Sequence, residues 1–311
     1  MKNKKTMLKK IIVTILLSFM IFIIFDFSSY TLDWNELKKS HEKYGTYLIP
    51  YNYTWIFDPD PYSYILSEDF FRKPINVNSK KEAIYIFGCS FAYGEKLSDT
   101  ENFGYLLGEK TKRPIYNFSF PGFSIQHTIY QLENMSFSNI PKPKYVIYVY
   151  MYDHIRRMYT KFMQPHEINR YPYYQFDKNK NLVFQKQPNF SLSNFYIVKK
   201  LLCYQAKYKA ESKKYEKENF QFAEQHFLRI NELLKEKFPD SQFIILFYEP
   251  RDAERNYNWK KLKEEGIKTI YTDDLTKEDL SSEKYKLSDS HPSKEAWKLL
   301  VPKFIEKIQI K

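Results

Sequence analysis

A serine at the end of an apolar run could act as a nucleophile. In the segment IFGCSFAYGE, Ser90 follows Gly88 and Cys89 directly after a hydrophobic stretch, and Gly94 comes shortly afterwards. A buried strand ending here would place the Ser90 hydroxyl and its own backbone N–H at the carboxyl edge of a sheet, where small residues allow a tight turn. Alone, this pattern is weak evidence, because turns are rich in glycine and serine.

A carboxylate and an imidazole stand close together near the other end of the chain. In YKLSDSHPSKEAW, Asp289 and His291 are two residues apart and precede Pro292. In an extended loop, residues at this spacing point the same way, so Asp289 could orient His291 and stabilise its protonated form. The pair alone fits a surface loop equally well, with Ser293 as the N-cap of a final helix. Its occurrence together with Ser90 favours nucleophilic acyl chemistry.

The elements that must position these residues are short apolar runs. Runs of this length suit strands that are buried on both faces of a parallel sheet. They cover Ala83–Gly88, Pro114–Phe120, Tyr145–Met151, Gln242–Tyr248 and Ile267–Tyr271. Helical patterns lie between them, so the sequence predicts a doubly wound α/β fold with a mainly parallel five-stranded sheet. Active sites in such folds lie at the carboxyl ends of the strands.

The connection between the third and fourth runs is longer than one crossover helix requires. We predict an insertion over residues 156–217, with a hairpin that turns at Asp177–Asn181 and a helical stretch over residues 192–217. Such insertions often shape a substrate cleft, and a solvated arm is an equal alternative.

The N-terminus carries a targeting pattern. Lysine-rich MKNKKTMLKK precedes an uncharged apolar run from Ile11 to Phe25. This predicts a cytoplasmic basic flank and membrane anchor helix over residues 1–28, with a cleaved signal as the alternative. Residues 29–80 form an N-terminal extension and residues 81–311 the catalytic domain, which the anchor would place outside the cytoplasm.

Composition and charge exclude several classes. The formal net charge is +12, but no recognisable nucleic-acid-binding module accompanies it, so we expect no nucleic-acid partner. The histidines lack ligand spacing, and the two cysteines, Cys89 and Cys203, form neither a metal motif nor a disulfide framework. We therefore predict no metal and no cofactor.

Four short blocks resemble the SGNH/GDSL hydrolase superfamily. Gly88–Ser90 is similar to its nucleophile block, with Cys89 where many members carry Asp. Gly122, in NFSFPGFSIQ after the second strand, is similar to its oxyanion glycine, and Asp289 and His291 resemble its acid and base. The resemblance covers residues 83–311, interrupted by the insertion, and implies a flavodoxin-like arrangement of strands.

Two positions depart from the superfamily pattern. Many members carry the acid three residues before the histidine, where this chain has Ser288. The third block normally offers an Asn side chain to the oxyanion, and this chain has Tyr152 there. The Tyr152 hydroxyl could donate instead, or Asn117 or Gln126 could substitute. Loss of one such donor costs about 10²-fold to 10³-fold in rate.

The resemblance implies a serine esterase or O-acyltransferase. His291 would take the proton of Ser90, and the N–H groups of Ser90 and Gly122, with Tyr152, would stabilise the oxyanion. The expected substrate is an acylated glycan or another ester, with O-acetyl groups of a cell-surface polysaccharide favoured, in the bacterial periplasm or at the cell surface. The alternatives are a non-catalytic glycan-binding or assembly protein with a degenerate site and a membrane-proximal lipase.

Overall fold

The computed structural model describes residues 11–24, 66, 71–159, 172–179, 181–185 and 196–310. Within them the chain divides into two compact units. The smaller unit includes residues 11–24, which are helical, and residues 196–205. The remaining described residues belong to the larger unit, which contains every candidate site residue.

A five-stranded parallel sheet forms the centre of the larger unit. The strands of the described chain are β1 (Ala83–Gly88), β2 (Ile115–Asn117), β3 (Pro143–Tyr150), β4 (Tyr174–Phe176), β5 (Leu182–Phe184), β6 (Gln242–Phe247) and β7 (Lys268–Tyr271). The sheet has the order β2-β1-β3-β6-β7, and neighbouring strands are parallel. All residues of β1 are buried, as its uninterrupted apolar sequence requires. The predicted five-stranded parallel sheet is therefore confirmed.

Helices cover both faces of this sheet. The described helices are α1 (Ser90–Tyr93), α2 (Phe103–Thr111), α3 (Ile125–Asn134), α4 (Asp153–Met158), α5 (Tyr196–Glu211), α6 (Glu216–Lys237), α7 (Asp252–Tyr257), α8 (Lys260–Glu264), α9 (Thr272–Leu275) and α10 (Lys294–Ile308). On one face, Tyr148 of β3 packs with residues of α3 and α6. On the other, Ile147 packs with residues of α2 and α10. Alternate side chains along β3 therefore point to opposite faces of the sheet and belong to two separate hydrophobic cores.

The edge strand β2 is shorter than the predicted run over Pro114–Phe120. Among the described strands it pairs with β1 alone, and the ladder ends at Asn117. The Asn117 side-chain amide donates to the Ala92 carbonyl in α1 at 2.9 Å, which ties the end of β2 to the segment after β1. The chain then turns into the loop that contains Gly122.

The region between β3 and β6 contains the expected hairpin and helices. Strands β4 and β5 pair antiparallel, and the Asp177 N–H donates to the Asn181 carbonyl across the turn. Helix α5 occupies much of the predicted helical stretch. Helix α4, by contrast, belongs to the main core, because Ile155 and Met158 are fully buried in it.

The predicted N-terminal segments are described in part. Residues 11–24 are helical with mostly exposed apolar side chains. Among the residues that the structure describes, none of the helices combines the length and the apolar character that crossing a membrane requires. Most of the extension over residues 29–80 lies outside the described residues, but Ile75 forms an antiparallel bridge to Ile115 at the start of β2.

Candidate active site

Ser90 lies at the turn from β1 into α1. Gly88 has a φ of 142°, Cys89 is extended, and Ser90 is the first residue of the helix. The Ser90 carbonyl accepts hydrogen bonds from the N–H groups of Gly94 at 2.9 Å and Glu95 at 3.0 Å. The Ser90 N–H is one of the groups that a helix leaves without an acceptor of its own, so it can face a substrate oxygen. Ser90 is 5% exposed.

Gly122 lies in the loop that follows β2, with a φ of 84°. The loop is anchored on both sides. The Phe123 ring stacks on His127 at 4.5 Å between centroids, and the Phe123 carbonyl accepts from the Arg157 guanidinium at 2.7 Å. With the link from Asn117 to Ala92, these contacts hold the Gly122 loop beside the Ser90 turn.

A partly buried ion triad adjoins this loop through Arg157. The Asp153 carboxylate contacts Arg156 Nε at 2.7 Å and Arg157 Nε at 2.8 Å. Burial raises the pKa of Asp153, but the two guanidinium groups outweigh burial and hold that pKa well below its usual range. Asp153 is therefore ionised and forms salt bridges with both arginines.

Tyr152 follows β3, but its hydroxyl is already engaged by another part of the chain. The hydroxyl donates to the Ala210 carbonyl of α5 at 2.7 Å, and the Arg251 guanidinium lies 3.4 Å from the ring centroid. The proposed substitutes are also engaged: Asn117 donates to Ala92, and the Gln126 amide lies 3.2 Å from His226 Nε2 in the core. In the arrangement described here, these three side-chain donors are used elsewhere.

His291 lies between two carboxylates. Its Nδ1 is 3.0 Å from Asp289 Oδ2, and its Nε2 is 3.2 Å from Glu95 Oε2. Asp289 Oδ1 also accepts from the His291 backbone N–H at 3.3 Å. The approach of Asp289 Oδ2 to Nδ1 lacks good hydrogen-bond geometry, so we treat this contact as an ion pair. The predicted pairing of Asp289 with His291 is present.

The loop that carries the pair differs from the extended conformation that we expected. Ser290 has a φ of 70°, and its N–H donates to the Leu287 carbonyl at 2.9 Å. The Leu287 N–H in turn donates to the His291 carbonyl at 2.8 Å. A closed turn therefore brings Asp289 beside the imidazole, where we had expected the alternation of an extended chain.

Charge at the site is balanced through Lys96. The Lys96 ammonium contacts Asp289 Oδ2 at 2.8 Å. Burial raises the pKa of Asp289, but Lys96 and His291 together lower it below its usual value. Burial also lowers the pKa of His291, whereas Glu95 and Asp289 raise it, and the two carboxylates prevail. The pair thus favours an ionised acid beside a protonated base.

The serine turn and the histidine loop lie against each other. The Phe91 ring centroid is 5.3 Å from that of His291, and Glu95 belongs to the same turn as Ser90. Among the described contacts, however, no hydrogen bond joins Ser90 to His291, because Nε2 faces Glu95. The geometry brings the predicted residues to one edge of the sheet and leaves the final proton-transfer contact unmade.

The sequence did not reveal the roles of Glu95, Lys96 and Arg72. Arg72, from the N-terminal extension, donates to the carbonyls of Tyr93 at 3.2 Å, Gly94 at 2.7 Å and Leu97 at 2.9 Å. This clamp fixes the turn that carries Glu95 and Lys96. The useful signal was the glycine in SFAYGEK, because a turn at Gly94 returns the following residues toward the serine.

A cavity of about 220 Å³ opens beside Phe91, at the carboxyl ends of β3 and β6. Charged and aromatic side chains make up most of its lining. It is lined by Phe91, Met151, Tyr152, Asp153, Arg156, Ala210, Glu211, Tyr248, Glu249 and Arg251. In the part of the chain that the structure describes, no cluster of side chains could hold a metal ion.

Comparison with solved structures finds similarities at low identity. A lipolytic G-D-S-L family protein from Desulfitobacterium hafniense is 13% identical, with 73% of this chain and 99% of that chain covered and a TM-score of 0.44. A G-D-S-L family member from Veillonella parvula is 13% identical, with 74% and 99% covered and a TM-score of 0.43. An acetyl xylan esterase from Butyrivibrio proteoclasticus is 10% identical, with 74% and 64% covered and a TM-score of 0.44.

The first two of these proteins are G-D-S-L proteins, the superfamily that the sequence blocks resemble. No protein-family model and no curated protein matches the chain. At these identities and TM-scores, the similarities do not bear on the chemistry of the site, which depends on its side-chain geometry.

Proposed function

We propose that this chain is a serine esterase or O-acyltransferase with Ser90 as nucleophile, His291 as general base and Asp289 as the acid that orients it. The observation that carries the proposal is the Asp289–His291 pair, which lies against the turn of a serine that begins a helix at the carboxyl edge of the sheet. This is the combination of groups that nucleophilic acyl transfer requires.

In the proposed reaction, Ser90 Oγ attacks an ester carbonyl while its proton passes to His291 Nε2. The backbone N–H groups of Ser90 and Gly122 stabilise the oxyanion. His291 then gives the proton to the departing alkoxide, which leaves an acyl-serine. Water or a sugar hydroxyl takes the acyl group in the second half. The Tyr152 hydroxyl could contribute as a third oxyanion donor after leaving Ala210.

The cavity beside Phe91 supports a glycan substrate over a lipid. A cavity for acyl chains would be mostly apolar, whereas this one presents Asp153, Glu249 and two arginines together with tyrosine rings. Sugars bind to such surfaces through their hydroxyl groups and their apolar ring faces. We therefore propose O-acyl groups, favouring O-acetyl, of a cell-surface polysaccharide as the substrate.

We also propose that residues 1–28 anchor the chain in a membrane and that the catalytic unit lies outside the cytoplasm, in the bacterial periplasm or at the cell surface. The lysines before residue 11 and the helical apolar stretch over residues 11–24 support this orientation. Fractionation of cells that express the full chain tests the anchor: release of the chain by alkaline extraction of membranes contradicts it.

The enzymatic proposal is tested by labelling the full chain, in detergent, with a fluorophosphonate serine probe. We expect label on the wild type and on the control Ser98→Ala, and none on Ser90→Ala or His291→Ala. Folded variants are verified by circular dichroism. If the folded wild type stays unlabelled, the serine is not activated and the alternative of a non-catalytic glycan-binding or assembly protein becomes the better one. The engaged Tyr152 hydroxyl favours that alternative.

A further inference from the structure

Glu95 is in contact with the imidazole nitrogen that a serine hydroxyl would have to reach. We propose that Glu95 is a positioning residue that holds His291 as an imidazolium through Nε2, and so sets the pH above which His291 can take the proton of Ser90. This inference rests on the proposed function of the site. It concerns the protonation state of His291 before the reaction, which Ser90, Asp289 and His291 alone do not determine.

The first support is the occupancy of both ring nitrogens. Nδ1 lies 3.0 Å from Asp289 Oδ2, and Nε2 lies 3.2 Å from Glu95 Oε2. A neutral imidazole carries one N–H and one bare lone pair, and a bare lone pair facing a carboxylate oxygen is repelled. A carboxylate oxygen beside each ring nitrogen therefore favours the imidazolium, in which both nitrogens carry protons.

The second support is that the Glu95 backbone is held in place and its side chain is not freely solvated. The Glu95 N–H donates to the Ser90 carbonyl at 3.0 Å, and Arg72 clamps the neighbouring Gly94 carbonyl at 2.7 Å. The side chains of Glu95 and His291 are only 14% and 18% exposed. An ion pair in such a partly buried place is screened less than a surface pair.

The third support is the balance of charges around the ring. Asp289 faces it from its own loop, Glu95 from the serine turn, and the Phe91 ring packs on it without charge. Lys96 contacts the same Asp289 oxygen, Oδ2, at 2.8 Å and offsets part of its charge. Farther along the same edge, Lys286 and Glu249 pair with each other at 2.9 Å. Two carboxylates thus face one imidazole, and its pKa is raised although burial opposes the charge.

Protons are conserved in the proposed step, because the proton released from Nε2 passes to solvent. The imidazolium first releases its Nε2 proton to solvent as the contact with Glu95 opens, and it retains Nδ1–H toward Asp289. The neutral Nε2 can then accept the Ser90 proton as Oγ forms its bond to the carbonyl carbon. Below the pKa of the His291–Glu95 pair, the ring has no lone pair to offer, and the serine stays protonated.

The test compares the wild type with Glu95→Gln in the full chain. Glu101→Gln is the matched control, because Glu101 pairs with Lys294 at 3.1 Å and does not contact His291. The pKa of His291 is measured by NMR on chain with labelled histidines, and its signal is assigned by its loss in His291→Ala. We expect Glu95→Gln to lower this pKa by about one unit or more, as removal of one adjacent opposite charge does. Glu101→Gln should leave it unchanged.

The second readout is the pH profile of kcat/KM for a small acetyl ester. Its acid limb should move to lower pH in Glu95→Gln by the same amount as the NMR value. Glu95→Asp, which keeps the charge, should retain a raised pKa and serves if the glutamine variant does not fold.

Each outcome separates the two proposals. An unchanged His291 pKa in Glu95→Gln overturns the role of Glu95 and leaves the esterase proposal standing if Ser90 is still labelled. A lowered pKa with an unmoved acid limb also overturns it, because His291 would then not limit the reaction. A lowered pKa in a chain whose Ser90 is never labelled refutes the proposed function, while the imidazolium contact itself is verified.

Discussion

Gly88 is a position at which the serine turn leaves no room for an added methyl group. It ends β1 with a φ of 142°, a conformation that residues with a Cβ rarely adopt. A Cβ placed on it would lie 2.8 Å from the Val149 carbonyl oxygen and 3.1 Å from the Ala92 Cβ. Neither neighbour can retreat easily, because Val149 belongs to β3 and Ala92 to α1, and both are fully buried.

We therefore expect Gly88→Ala to be strongly destabilising. Backbone strain in such a region costs about 1–3 kcal/mol, and forcing a methyl group into a packed site costs about 1–3 kcal/mol more. Together these give about 2–6 kcal/mol of lost unfolding free energy. Fluorophosphonate labelling of Ser90 should fall as well, because the displaced α1 carries this proposed nucleophile.

Chemical unfolding followed by tryptophan fluorescence measures this cost, since Trp259 and Trp297 are fully buried. Gly266→Ala is the matched control: its φ is 77°, but nothing lies within 4 Å of the added Cβ. It should cost only the backbone penalty of about 1–2 kcal/mol. If Gly88→Ala costs no more than Gly266→Ala, the close approach of β1, β3 and α1 does not hold the turn, and the reasoning is refuted.

Two further predictions concern the cavity and a buried acid. Arg251→Ala should raise KM about 10-fold for an acetylated polysaccharide and leave kcat unchanged. The reason is that it removes a planar cation that lines the cavity and does not react. Steady-state kinetics test this, and the same change for a small acetyl ester would contradict it. Burial raises the pKa of Glu254 from 4.5 to about 7, so the folded chain binds this proton more tightly than the unfolded chain. The unfolding free energy should fall as pH rises between these values. Urea unfolding at about pH 5 and about pH 8 should show a smaller fall in Glu254→Gln than in wild type, and equal falls would dismiss Glu254 as the cause.

The sheet could be predicted because its signal is local. Five short, mainly apolar runs predicted the five strands, since a strand buried on both faces needs few polar positions. The ends of β2 could not be predicted, because they depend on which strand pairs with it. Phe118 is as apolar as Ile115, yet the sheet ladder ends at Asn117.

Contacts in the candidate site could be predicted where the two residues are close in sequence. Contacts between residues far apart in sequence could not. Asp289 and His291 are two residues apart, so any compact loop brings them together. Glu95 and His291 are separated by most of the length of the chain. The glycine before Glu95 indicates a turn, but nothing in the sequence identifies His291 as the partner of Glu95. The Tyr152 hydroxyl meets a carbonyl of α5, which only the folding of the long connection between β3 and β6 could supply.

The distance between the serine turn and the histidine loop is set by a pair of helices that take no part in chemistry. Helix α2 follows the turn and α10 follows the loop, and the Phe103 ring of α2 packs on Trp297 of α10 at 4.9 Å. Outside the core, Glu101 and Lys294 pair at 3.1 Å across the starts of the same two helices. Under the proposal for Glu95, the protonation state of the imidazole decides whether Nε2 contacts Glu95 or Ser90.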